Sequence, residues 1–201
     1  MKRFFAFALL GSLLTVPALA VTNGDKAPDF KARASLAGKE FDFSLKDALK
    51  KGPVVVYFYP SAYTKGCNMQ AHAFAEQADK FKAAGATIIG VSRNTIARLN
   101  AFSADPEYCA GKFPVASDAD GAIAKAYGLN SVQAPASAKD SKGEDLAAQL
   151  TGGLTMDRAT YIITPDSKII ATMATSKEAD SVAPQDHAEK SLAVIEGLKK
   201  K

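Results

Sequence analysis

Val54-Val55-Val56-Tyr57-Phe58-Tyr59-Pro60-Ser61-Ala62-Tyr63-Thr64-Lys65-Gly66-Cys67 is the stretch whose reading decides the fold. Its first six residues are β-branched or aromatic without a polar break. That is the composition of a strand buried on both faces, in the middle of a parallel or mixed sheet. Pro60 stops the strand, a short polar loop runs from Ser61 to Gly66, and a helical pattern extends from Cys67 to about Ala84. Apolar side chains recur in it at Ala71, Phe74, Ala78 and Phe81, spaced by three and four as an amphipathic helix requires. Gly85 ends the helix, and Thr87-Ile88-Ile89-Gly90-Val91 reads as a second buried strand. A strand–helix–strand unit of this kind predicts a right-handed crossover.

The pattern continues more weakly outward. Thr95 to Phe102 reads as a helix, Phe113 to Ala116 as a short strand, and Gly121 to Tyr127 as a short helix closed by Gly128. Asn130 to Met156 is rich in Ala, Ser, Lys and Gly and reads as a loop or insertion, with one helical turn around Asp145 to Leu150. Thr160 to Ile163 and Lys168 to Thr172 flank Thr164-Pro165-Asp166-Ser167, two strands joined by a Pro-Asp turn. Pro184 is expected to open a last helix with Ala188, Leu192, Ile195 and Leu198 on one face. Upstream, Asp29 to Ser44 alternates as a hairpin turning at Gly38. The sum is an α/β domain over residues 21–201, without a linker. Its expected core is a mixed central sheet of about five strands with helices on both faces.

The first twenty residues have a different character. Lys2 and Arg3 precede an apolar run from Phe4 to Leu14, and Pro17-Ala18-Leu19-Ala20 supplies a small-x-small cleavage pattern before Val21. That order predicts a secretory signal peptide over residues 1–20. The run falls short of the roughly 20 apolar residues a spanning helix needs, so a retained membrane anchor fits less well. Cleavage would lower the formal charge from +4 to +2 by removing Lys2 and Arg3. A balance so close to neutral argues against nucleic acid or an anionic membrane as partner. The expected location is the outside of the cytoplasm, in a bacterium the periplasm, with no stable membrane association after cleavage.

Two cysteines in an exported chain would ordinarily be read as a structural disulfide. The surroundings of Cys67 point elsewhere. It falls in the first turn of a helix that follows a buried strand, where unpaired N–H groups and the helix dipole favour an anion, and the thiolate is the reactive form of cysteine. The spacing Pro60-x-x-x-Thr64-x-x-Cys67 resembles the active-site loop of the peroxiredoxins, at all three fixed positions and directly after a strand. Arg158-Ala159-Thr160-Tyr161 resembles the family's Arg-x-Thr-Phe segment. Val21 to Phe30, containing Gly24-Asp25-Lys26-Ala27-Pro28-Asp29-Phe30, is similar to its entry segment, and Phe113-Pro114-Val115-Ala116-Ser117-Asp118 to its third-strand region. Nearly all of residues 21–201 is covered, and the bacterioferritin comigratory protein group, also called PrxQ-like, is the most similar branch.

The resemblance implies a thioredoxin-like fold and a thiol peroxidase without metal or organic cofactor. In it, Cys67 attacks the peroxide, the Thr64 hydroxyl hydrogen-bonds the sulfur and the peroxide, Pro60 shields the site, and Arg158 stabilises the thiolate. Without the resemblance Arg158 would be an ordinary surface charge at a strand edge. Many members of the branch carry a resolving cysteine five residues after the first, where this chain has His72. Others place it in the helix before the Phe-Pro strand, where Cys109 stands in Asp105-Pro106-Glu107-Tyr108-Cys109. The implied partner of the Cys67 sulfenic acid is therefore Cys109, with a thioredoxin-like donor as final reductant and a monomeric state. An external thiol acting directly, with Cys109 a spectator, is the alternative. Gln70, on the same turn as Cys67, is a candidate orienting residue.

Two further readings compete. A thiol–disulfide oxidoreductase or a copper-delivery protein on the same fold needs Cys-x-x-Cys or Cys-x-x-x-Cys, and the positions concerned are Gln70 and Ala71. A non-enzymatic secreted module with a structural Cys67–Cys109 disulfide leaves Pro60, Thr64 and Arg158 unexplained. His72 and His187 have no metal-ligand spacing, and hydrolase, P-loop and dinucleotide glycine motifs are absent.

Overall fold

The computed structural model describes residues 20–175 and 180–199, so the expected signal peptide lies almost wholly outside the described residues. In chain order, the first elements are β1 (Lys31–Leu36), β2 (Lys39–Ser44), α1 (Leu45–Leu49), β3 (Val54–Phe58) and α2 (Lys65–Ala83). Next come β4 (Thr87–Ser92), α3 (Ile96–Ala104), β5 (Val115–Ser117), α4 (Ala122–Ala126) and β6 (Ser131–Gln133). The last are β7 (Leu154–Met156), β8 (Ala159–Ile163), β9 (Ile169–Ala174) and α5 (Asp186–Leu198).

Seven strands form one sheet in the order β2-β1-β5-β4-β3-β8-β9. The pairs β3–β4 and β4–β5 are parallel, and β1–β2, β1–β5, β3–β8 and β8–β9 are antiparallel. Strand β3 has partners on both sides, and alternate side chains serve opposite faces. Val54, Val56 and Phe58 pack with Leu45, Leu49, Tyr127 and Tyr161 on the α1 and α4 side. Val55 and Tyr57 pack with Phe74, Phe81, Leu99, Phe102 and Leu192 on the side of α2, α3 and α5. All five residues of β3 are buried, which is why the run shows no polar alternation.

The sheet is wider than the expected five strands. The 29–44 hairpin does not stand apart, because β1 pairs with β5 in the register Ala34↔Ala116 and extends the sheet at that edge. Strand β2 is the sheet's edge, and within β1 Ala34 and Ser35 are buried while Lys31 and Leu36 at its two ends are exposed. Helix α1 is absent from the sequence reading; its five residues are too few for a periodic pattern, and its one signal is Ser44, whose hydroxyl accepts the Asp47 N–H at 3.2 Å. The 130–156 segment, expected as loop, holds the β6–β7 hairpin and two short 3-10 turns, one at Ala147–Gln149 within the predicted helical turn. Helix α5 begins at Asp186, two residues beyond Pro184. No helix among the described residues is long and apolar enough to cross a membrane.

Gly90 in β4 marks the tightest point of the face that carries α2. A Cβ there would stand 2.6 Å from Tyr57 Cζ and 2.7 Å from its hydroxyl oxygen. Tyr57 is itself fixed, stacked on Phe74 with ring centroids 4.7 Å apart. Gly90→Ala is therefore expected to destabilise the fold by about 1–3 kcal/mol through overpacking. Urea-unfolding midpoints measure it, and a midpoint equal to wild type would mean that the Tyr57 ring gives way freely.

Candidate active site

Helix α2 packs through the stripe Cys67, Gln70, Ala71, Phe74, Ala78 and Phe81, so the helix that fills the core also turns the sulfur inward. Cys67 is the third helical residue after the N-cap Thr64 and is only 1% exposed. Its sulfur thus meets the positive end of the helix, close to backbone N–H groups that have no partner within the helix.

The compensating cation comes from the sheet. Strand β8 pairs with β3 so that Ala159 lies opposite Phe58, which brings residue 158 to the carboxyl end of β3, where the Pro60–Cys67 loop begins. Arg158 Nη2 lies 3.1 Å from Cys67 Sγ, and its Nη1 donates to Gln70 Oε1. One guanidinium thus spans the sulfur and the next turn of the same helix. Gly66 leaves it room, for a Cβ there would meet Arg158 Nη2 at 3.3 Å and Pro184 Cγ at 3.4 Å. Arg158 is accordingly no ordinary surface charge, and Gln70 is its partner.

Thr64 departs from the role that the resemblance implies. Its hydroxyl donates to the Ser61 carbonyl at 2.9 Å and makes no cap bond to α2. With its hydrogen committed to Ser61, the oxygen is left to accept a hydrogen bond from whatever enters the site. Pro60 is half-buried beyond the end of β3.

The sequence reading missed the residue that anchors this loop. Asn94 is fully buried; its Oδ1 accepts the Ala62 N–H at 2.8 Å, and its Nδ2 donates to Ser61 Oγ and to the Gln149 carbonyl, each at 3.0 Å. One amide thereby fixes the active-site loop and the 130–156 segment together. A signal existed: β3 and β4 are parallel neighbours, so the chain after Ser92 must lie beside the chain after Phe58, at the carboxyl edge where sites of α/β sheets gather.

Cys109 sits in the turns between α3 and β5, fully buried and, like Cys67, a free thiol. Burial, reinforced by the nearby Asp105 carboxylate, pushes its pKa well above the ordinary thiol value. Both cysteines belong to the core cluster that contains Tyr57 and Tyr59, but the sulfurs are not bonded to one another. His72 is half-exposed, and its Nδ1 lies 2.9 Å from the Glu107 carbonyl, two residues before Cys109.

His187, given no role by its sequence context, is buried behind Arg158. Its Nδ1 pairs with Thr160 Oγ1 at 2.8 Å, and its Nε2 lies 3.1 Å from Thr175 Oγ1 and 3.3 Å from the Val182 carbonyl. The carbonyl can only accept, so Nε2 carries the proton and Nδ1 accepts from Thr160. The ring ties β8, β9 and the start of α5 together two residues from Arg158.

Comparison with known proteins identifies the chain's family. Residues 23–172 match the model of the AhpC/TSA family. Chloroplastic peroxiredoxin Q from Sedum lineare is 29% identical over 179 residues, spanning 89% of this chain and 80% of the relative. The Populus jackii homologue is 30% identical over 178 residues, with 89% and 70% covered. Among solved structures, peroxidoxin BcpB from Mycobacterium tuberculosis superposes with a TM-score of 0.66 at 26% identity, covering 88% of this chain and 97% of the other. The Xanthomonas campestris bacterioferritin comigratory protein, whose alkyl peroxide reduction has been described, gives 0.59 at 26% identity, with 83% and 90% covered. The fold is thus thioredoxin-like, and the relatives make the chain a thiol-dependent peroxidase that reduces hydroperoxides. The chain belongs to the AhpC/TSA family and falls with its peroxiredoxin Q and bacterioferritin comigratory protein branch.

Burial lowers the His187 pKa from 6.5 to about 4, with Arg158 adding to the effect. The unfolded chain takes up a proton below 6.5 that the folded chain refuses until about 4. Stability is therefore lost as pH falls through that window and levels off below it. Such a shift corresponds to about 3 kcal/mol. His187→Gln is expected to remove about that much of the acid loss, read from urea midpoints at pH 7, 5.5 and 4. An unchanged loss would mean that other groups carry it.

Proposed function

We propose that Cys67 is the peroxide-attacking residue and Cys109 its resolving partner in a cycle recycled by a thioredoxin-like dithiol. The observation that carries the first assignment is the 3.1 Å approach of Arg158 Nη2 to Cys67 Sγ at the first turn of α2. The anionic sulfur attacks the terminal oxygen of the hydroperoxide. A sulfur–oxygen bond forms, the O–O bond breaks, and the leaving alkoxide or hydroxide takes a proton to depart as alcohol or water. Arg158 stabilises charge on the sulfur and on the breaking bond. The Thr64 oxygen, its own hydrogen bound to Ser61, accepts the peroxide O–H. Gln70 keeps the guanidinium from swinging away.

Cys67 sulfenic acid and the Cys109 thiol then condense to a disulfide and one water. The reductant's two thiols return both cysteines to the reduced state and leave as its disulfide. Cys109 suits the second role because the charge beside it is opposite to that beside Cys67, a carboxylate in place of a guanidinium. It stays a neutral thiol until the structure opens. A monomer is the proposed working state, and export, on the strength of residues 1–20, the proposed destination.

Intact mass after one equivalent of hydrogen peroxide tests both assignments on the reduced protein. The wild type is expected to lose two hydrogens, Cys67→Ser to stay unreacted, and Cys109→Ser to gain one oxygen. Arg158→Met is expected to slow the attack by roughly 10²-fold or more, the scale on which a transition-state donor acts. A Cys67→Ser protein that consumed peroxide at the wild-type rate would remove the first assignment. A Cys109→Ser protein with wild-type turnover on a thioredoxin-like donor would remove the second.

A further inference from the structure

Tyr63 is the strained residue of the active-site loop. At φ 62° it occupies the left-handed region, four residues before Cys67. A bulky side chain is strained there and persists only where the surroundings over-determine it. Those surroundings come from residues 140–144. The Ser141 N–H donates to the Tyr63 carbonyl at 2.7 Å. The Arg98 guanidinium lies over the Tyr63 ring, 4.2 Å from its centroid, and is held there by a buried ion pair with Asp140 and a 3.0 Å contact to Glu144. Asp140 in turn shapes the strap, accepting the N–H groups of Lys142 at 2.8 Å and Glu144 at 3.0 Å.

The same five residues reach both cysteine-bearing elements. On the Cys67 side, Asn68 Nδ2 donates to Ser141 Oγ at 3.2 Å. On the Cys109 side, Lys142 Nζ lies 3.4 Å from Asp105 and 5.7 Å from the centre of the Tyr108 ring, which meets Tyr63 edge-on at 5.6 Å. Asp105 and Tyr108 belong to the turns that end in Cys109. Both sulfurs are buried and unbonded, and a disulfide requires Cα atoms about 4.4–6.8 Å apart with their side chains facing. Neither element can rearrange without breaking contacts to this strap.

We propose that Asp140–Glu144 is a clamp that sets the two half-reactions against one another. Closed, it holds Tyr63 and hence the Pro60–Cys67 loop in the arrangement that attacks peroxide; open, it lets the Cys109 thiol reach the Cys67 sulfenic acid, expelling water as the disulfide forms. Asp140 and Lys142 are positioning residues and touch no reacting atom. The second half rests on the proposed resolving role of Cys109; the first does not.

The clamp is tested with Asp140→Asn and, as a surface change that spares the buried pair, Lys142→Gln. In a Cys67→Ser background, alkylation of native Cys109 by iodoacetamide reads opening alone and needs no peroxide chemistry. Both variants are expected to raise its rate on the order of tenfold at temperatures well below the melting transition. In a Cys109→Ser background, single-turnover sulfenic acid formation is expected to slow severalfold. In the two-cysteine protein, disulfide formation after one equivalent of peroxide is expected to accelerate. Opposite signs for attack and resolution are what a merely structural strap would not produce. Unchanged Cys109 protection in both variants, an unchanged attack rate, or two steps slowed in parallel would overturn the clamp. Absence of any disulfide in the two-cysteine parent would instead sink the role of Cys109, with the first two measurements still deciding the clamp.

Discussion

A sulfur that must carry charge sits on the stripe of a helix that packs into the core, and most of the molecule around it answers that contradiction. Helix α2 buries Cys67 on the same face as Phe74 and Phe81, so an anion there loses water on nearly every side. The helix terminus supplies partial positive charge, but the full charge has to come from elsewhere in the chain. It comes from Arg158, ninety-one positions away, because β8 pairs antiparallel with β3 and begins where β3 releases the loop. The pairing of two strands thus sets the geometry of an ion contact. A slip of one residue would turn Arg158 to the other face of the sheet.

The guanidinium is fixed from several sides, which matters because arginine loses considerable side-chain entropy when held. Gln70 binds one nitrogen, and Gly66 and Pro184 bound the space. Behind the strand, His187 locks Thr160 and joins β9 and the start of α5 to it. The depressed basicity of His187 belongs to this arrangement: a second cation beside Arg158 would be unsolvated and repelled, so the ring serves as a neutral donor and acceptor.

The strands β3, β4, β8 and β9 were legible because each is a short apolar run bounded by Pro, Gly or Asp. Cys67 and Arg158 were legible because their spacing lies within recognisable segments. What escaped has a common physical character. The width of the sheet depends on β1 meeting β5, a pairing of residues some eighty positions apart that alternation alone does not specify. Asn94, Ser61 and Gln149 act through contacts made at the carboxyl edge of the sheet, and an isolated Asn after a strand looks like any loop residue. Thr64 matched its motif, yet its hydroxyl hydrogen goes to Ser61, a choice of hydrogen-bond partner that no spacing encodes. The 130–156 segment has the composition of a loop because its order rests on a three-residue hairpin, a small cluster of Ala134, Leu146 and Leu150, and single polar contacts, none long enough to show a period.

The two cysteines occupy one apolar cluster under opposite electrostatics, and this orders their chemistry. Around Cys67 the nearest charge is a guanidinium; around Cys109 it is the carboxylate of Asp105, itself partly answered by Lys142. Burial and the Asp105 carboxylate oppose an anion at the second sulfur. Were both thiols anionic at once, they would repel one another in a medium of low dielectric and compete for the same peroxide. Holding the second as a neutral, enclosed thiol avoids both outcomes. In the cycle proposed above, resolution then has to wait for a movement that brings Cys109 out of its burial and away from Asp105, which raises its nucleophilic fraction and its reach together. Under the proposed clamp, the barrier to that movement is set where the cysteine-bearing elements are tied to each other, outside the core. The core itself, with Tyr57 stacked on Phe74 and Tyr59 and with Tyr59 against Phe102, is closely packed and resists rearrangement.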